Sequence, residues 1–190
     1  MSKHHDLTAS YGESLVTCEH QFEASYYYHQ VREQCMNHIH EISKAVDEFT
    51  VDFTDESLKI LELLYYDLED SNCFDYFSMT KEEFEECMGV YFGEVVTSTI
   101  DEARWVVKEY PLMENKYVTG IEKGNLSLMF PHGFFNHKER HPECVFTLYH
   151  LYKQLQKWEK GELKFTFFIV PALWEYKYPF HMYHYINCCV

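Results

Sequence analysis

"TKEEFEECMGVYFGEVVTSTIDEARWVVKEY" (Thr80–Tyr110) carries the chain from a helical pattern into a strand pattern. Thr80 with Glu83 three residues later forms a capping box, the signature of a helix start. Phe84, Met88, Tyr91 and Val95 then recur every three or four residues and share one face of a helix. Beyond Ile100 the texture changes. "ARWVVKEY" is rich in β-branched and aromatic residues and reads as a strand.

Two glycines interrupt the helical part. The chain has only 7 glycines in 190 residues, yet Gly89 and Gly93 lie four apart inside one helix. Each costs about 1 kcal/mol there relative to Ala. On a helical wheel Gly89 falls roughly 100° from the Phe84 stripe, beside Phe92 and Val96. The expectation is a central helix buried on more than one side and thinned at both glycines for a close neighbour. A Leu at Gly89 then overpacks the core. Glu94 follows the second glycine at the edge of the apolar side. It is the candidate polar site: a half-buried carboxylate there acts as an acid or base, or else pairs with a Lys or Arg, or faces water.

On the N-terminal side, residues 1–14 are polar and without period, and read as a flexible tail. A long helix follows over about 19–49, striped by Tyr28, Val31, Cys35, Ile39, Ile42, Val46 and Phe49. Val51–Phe53 is a short β-like run or a link. Thr54 caps a second helix with Asp55 and Glu56 in its first turn, where the dipole favours acids. "EDSNC" ends it. On the C-terminal side, "KYVTGIEKGNLSLMF" reads as two strands around a turn. Pro142 opens a fourth helix that Gly161 ends, lined by Val145, Leu148, Tyr149, Tyr152 and Leu155. "KFTFFIV" and "LWEYKYPF" are β-like. Helices first and strands later predict an α+β fold, an antiparallel sheet packed on one side by helices, with 15–190 as a single domain.

Within this frame the motifs resemble a pattern in small bacterial α+β proteins of unknown function. The stretches are "GVYFGEVV", "ARWV" and "LMFPHGFFNHK". In those proteins a helix with a Gly-x-Tyr-x-Gly-Glu stretch precedes a strand with Trp and a Phe-Pro or Asn-Pro turn. The resemblance spans about Thr54 to Leu155. It implies structural roles for Gly89, Tyr91, Gly93, Trp105 and Pro131, together with Glu94. Several such families sit near polymorphic-toxin immunity genes, so it also implies an immunity-like role. No active site transfers with it.

Composition bounds the function. With 16 basic and 31 acidic side chains the net charge is −15, which disfavours nucleic acid and anionic membranes as partners and favours a basic protein. From Glu41 to Glu94 there are 16 acids and 3 lysines. That is an acidic face for a partner, or the solvated outside of amphipathic helices. "SYYYH", "LYYDL" and "WEYKYPFHMYHY" suggest a tyrosine-rich surface suited to binding or self-association. The 7 cysteines include no CxxC pair, and "MSKHHDLTAS" lacks the apolar core of a secretory signal. Both suit a reduced cytoplasmic protein. His132, His137, His141 and Cys144 have zinc-type side chains at loose spacing, without a paired-cysteine or HExxH signature. No serine elbow or phosphate loop is present. The leading expectation is a non-enzymatic cytosolic protein-binding domain without cofactor. The alternative is a metal-binding protein or metal-dependent enzyme built on the His132–Cys144 region.

Overall fold

The computed structural model describes residues 12–110, 112–124, 126–129 and 147–159. The elements are α1 (Gln21–Ala45), α2 (Asp55–Ser71), a 3-10 turn (Phe74–Phe77), α3 (Lys81–Thr99), β1 (Arg104–Glu109), β2 (Tyr117–Lys123), β3 (Leu126–Met129) and α4 (Thr147–Glu159). The fold is α+β, with an antiparallel three-stranded sheet in the order β1-β2-β3.

Local chemistry sets the helix ends. The Thr54 side chain accepts from Ser57 N–H at the start of α2. Asn72, left-handed at φ 52°, closes α2 by donating its N–H to the Glu69 and Leu68 carbonyls. Both halves of the Thr80–Glu83 capping box are present. His20 caps α1, its Nδ1 accepting from Glu23 N–H at 3.2 Å. Histidine is not among the preferred caps, so the start of α1 was not marked in the sequence. The end of α1 also differs from the expected 49: the helix stops at Ala45 and Val46 is extended. Phe49 nevertheless reaches the core because the chain folds back, Phe49 N–H donating to Val46 O and Ser43 Oγ to Phe49 O.

The helices cover one face of the sheet. Register pairs Trp105 with Ile121 and Val107 with Thr119. Trp105 and Ile121 join the main core, whereas Val107 packs with Ala24 and Tyr28 of α1. On the opposite face Arg104 and Lys108 both bind Glu122, each at 2.7 Å. Leu15, Tyr110 and Val118, flanked by Val106 and Met113, form a small second cluster there. The end of the segment expected to be loose, residues 12–14, contacts the fold. Lys116 Nζ donates to the carbonyls of Glu13 and Leu15, and a Cβ on Gly12 would stand 2.4 Å from Met113 Sδ. Residues 1–11 lie outside the described residues.

The main core is centred on α3. Cys87 through Gly93 are buried without a break, which is two turns of helix enclosed on every side. Phe84, Met88, Tyr91, Phe92 and Val95 are fully enclosed there, with Leu58 and Leu61 of α2 and Ile39 of α1. Leu148, Tyr152 and Leu155 of α4 close the same core. Val51–Phe53 is a link rather than a strand. The β-like runs "KFTFFIV" and "LWEYKYPF", with Pro142 and Gly161, lie outside the described residues.

Candidate functional site

Of the sequence-marked residues, Gly93, Glu94 and Trp105 meet at the joint between α3 and β1. A Cβ on Gly93 would stand 2.1 Å from Trp105 Cζ2 and 2.2 Å from Cη2, so the indole lies directly on the helix backbone. The second glycine thus has the steric role expected of it. Gly89 does not: no heavy atom lies within 4 Å of where its Cβ would be. The close approach expected at both glycines occurs at Gly93 alone. The reason is register, since the Trp of β1 reaches the helix backbone opposite Gly93.

Glu94 is engaged in the same joint. Trp105 Nε1 donates to its Oε1 at 3.0 Å, and Arg32 Nε of α1 stands 3.5 Å from that oxygen. The Arg32 guanidinium carbon sits 5.0 Å above the Trp105 ring centroid. One guanidinium is thus held between a carboxylate and an indole, tying α1, α3 and β1 together. The arrangement satisfies Glu94 by pairing, the structural reading of that residue.

Tyr91 anchors the link into α2. Its hydroxyl accepts from Phe53 N–H at 3.2 Å and shares a 2.6 Å hydrogen bond with the buried Ser57 hydroxyl. Phe53 is left-handed at φ 58°, a costly conformation for a bulky residue. The Tyr91 hydroxyl and the facing rings of Phe53 and Tyr91, 5.9 Å apart, hold it there. Burial pushes the Tyr91 hydroxyl pKa up, so it stays protonated and able to donate.

Two further polar groups were not singled out from sequence. Glu62 is fully buried, and its two carboxylate oxygens accept from Leu148 N–H at 2.7 Å and Tyr149 N–H at 3.0 Å. A carboxylate of α2 therefore caps the first turn of α4 from another helix. Its only sequence signal is an acid on the inner face of α2, one residue from Leu61. Glu85 accepts from the Tyr65 hydroxyl at 2.6 Å, with Lys81 Nζ 3.9 Å away. Burial raises the Glu85 pKa, against the hydrogen bond from Tyr65 and the charge of Lys81. Cys35 and Cys87 are buried free thiols in contact across α1 and α3, and the hydrogen bond to Cys35 together with burial raises the Cys87 pKa. A thiol held protonated in this way is a poor nucleophile.

Pro131 and the candidate metal ligands His132, His137, His141 and Cys144 lie outside the described residues. Among the described residues, no group of three or more His, Cys, Asp or Glu side chains is arranged to hold a metal ion. None of the described helices is long and apolar enough to cross a membrane.

Most of the acidic residues between Glu41 and Glu94 are exposed. Lys44, Lys59 and Lys81, the three lysines between Glu41 and Glu94, are each paired within that region, to Glu41, Glu56 and Glu69. Lys153 of α4 binds Asp55, and its hydrogen bond holds the Asp55 carboxyl below its usual pKa. Asp67, Asp75, Glu82 and Glu86 are exposed, and no basic side chain pairs with them among the described residues. Tyr76 and Leu63 are exposed on the same pair of elements, the 3-10 turn and α2. Of "SYYYH", Tyr26 and Tyr27 are exposed, whereas Tyr28 turns inward and donates to Tyr117 O. In "LYYDL", Tyr65 is buried.

No solved structure matches this chain. It is 29% identical over 113 residues to the uncharacterised protein YwmA of Bacillus subtilis (strain 168), an alignment covering 60% of this chain and 71% of the relative. Residues 17–156 match the family described as uncharacterised protein YwmA. That range begins at the bridge from Thr17 to Lys116 and runs through the Gly93–Trp105 joint to the last turn of α4. The chain therefore belongs to the YwmA family.

Proposed function

We propose that the protein is a non-enzymatic cytosolic binding domain whose acidic helical surface docks a basic protein. One observation carries the reading: every lysine between Glu41 and Glu94 is already paired inside that region, while Asp67, Asp75, Glu82 and Glu86 face solvent without a basic partner among the described residues. An uncompensated field of one sign attracts a partner of the other and speeds its association. Exposed Tyr76 and Leu63 supply apolar contact within it. Neutralisation of a cationic toxin, the immunity-like case, is one form of such binding.

The test replaces the four acids together (Asp67→Asn, Asp75→Asn, Glu82→Gln, Glu86→Gln). Immobilised parent and variant are exposed to lysate of the native host at low and high salt. The expected result is a basic protein captured by the parent at low salt, released by salt and absent from the variant. The same proteins retained on both would overturn the reading.

A further inference from the structure

The first half of α1 carries an aromatic ridge that the fold does not bury. Phe22 is 80% exposed and Tyr26 60% exposed. They are four residues apart on a helix, so their side chains are neighbours on one face. Both rings are held in place. Phe22 meets the His20 ring edge-on at 6.3 Å, and Gln30 Nε2 donates to the Tyr26 hydroxyl at 2.9 Å. Carboxylates border the ridge. Glu23 accepts from Glu19 N–H through one oxygen, Glu19 is exposed beside Phe22, and Glu33 lies two turns beyond Tyr26 next to His29.

We propose that this ridge is a docking site for an arginine-bearing segment of a basic protein. The proposal rests on the reading of the protein as a binder of a basic partner, and it adds which side chain is recognised and where. Charge complementarity selects a cation: exposed Glu19 and Glu23 each lie three residues before a ring of the ridge, Phe22 and Tyr26 respectively, and the molecule as a whole carries −15. That same charge opposes a second copy of this chain as the occupant. The rings select arginine over lysine. A guanidinium is planar and weakly hydrated, and it stacks on an aromatic face while its remaining N–H groups bind carboxylate. The protein itself builds this arrangement further along the same helix, where Arg32 lies over Trp105 and pairs with Glu94. At Phe22 and Tyr26 the aromatic faces and the acids are present, and no described guanidinium is stacked on them.

The experiment uses the full chain and a dye-labelled octapeptide of alternating arginine and glycine. Lysine and citrulline versions serve as probes of shape and charge. Fluorescence anisotropy is read at low salt and pH 8. The arginine peptide is expected to bind several-fold tighter than the lysine peptide, and the citrulline peptide to bind least. The double variant Phe22→Ala/Tyr26→Ala should lose tenfold or more in affinity. Phe22→Leu/Tyr26→Leu, which keeps apolar area but removes the rings, should lose a similar factor. All these residues are good helix formers, so α1 is retained, as circular dichroism will record. Equal binding by the leucine variant, or equal affinity for arginine and lysine, overturns the proposal. So does a parent that is dimeric by light scattering and becomes monomeric in the alanine variant, which makes the ridge a self-interface. Loss of binding in the four-acid variant (Asp67, Asp75, Glu82 and Glu86) with the ridge variant unaffected would leave the basic-partner reading standing and remove this one.

Discussion

Gly93 and Gly89 are the same residue in the same helix with opposite consequences. At Gly93 any Cβ collides with the Trp105 indole, and the indole is fixed by its hydrogen bond to Glu94 and by Arg32 above it. Gly93→Ala should therefore destabilise the protein by about 1–3 kcal/mol, because a pinned ring cannot yield without breaking its contacts. At Gly89 there is room for a methyl group, so Gly89→Ala should stabilise by about 0.5–1 kcal/mol through helix propensity alone. Urea unfolding of the two variants checks the pair. Equal effects would mean that the indole does not define the joint. Spacing alone marked both positions as special. The difference between them depends on which residue of β1 arrives over the helix, and no periodicity within α3 encodes that.

A single carboxylate holds the start of α4. α4 is amphipathic by its own sequence, so Leu148, Tyr152 and Leu155 were identifiable as its buried stripe. Its docking point is another matter. Glu62 of α2 accepts the N–H groups of Leu148 and Tyr149. Glu62→Ala leaves both donors without this acceptor in a buried site and should cost about 1–3 kcal/mol. Hydrogen exchange of those two amides should quicken well beyond that of amides in α3. Unchanged exchange would show that other groups hold the start of α4. An acid on the inner face of α2 is a local anomaly that sequence reasoning can flag. Its partner is 86 residues away in the chain, so only packing identifies it. The glutamate that was flagged, Glu94, is also a pairing residue, tied to Arg32 and Trp105 by contacts of the same non-local kind.

Charge acts at the scale of the whole molecule. Asp55, hydrogen-bonded to Lys153, and Glu122, hydrogen-bonded to Lys108 and Arg104, have pKa values below the ordinary carboxylate range. A depressed folded-state pKa contributes stability at pH values above the unfolded value near about 4, and that contribution is lost as pH falls through the folded value. Buried Glu85 works in the opposite sense, since its raised pKa favours the fold when protonated. Glu41, Asp52 and Glu83 are lowered as well, so stability should fall as the pH drops from about 4 to about 2, and Asp55→Asn/Glu122→Gln should flatten that fall. Thermal midpoints across that range provide the measurement, and parallel curves would refute the assignment. What the sequence by itself determined was the order and type of the described α-helices and strands, the α+β class, the caps at Thr54 and Thr80, the burial of α3 on several faces, and the local charge excess. These depend on residues near one another in the chain, where propensity, period and capping act. The tertiary structure alone decided that Trp105 rests on Gly93 and not Gly89, that Glu62 caps α4, and that Phe22 and Tyr26 remain outside while Tyr28 turns in. Those outcomes depend on which surfaces meet, and a contact between distant segments has no signature in either segment read alone.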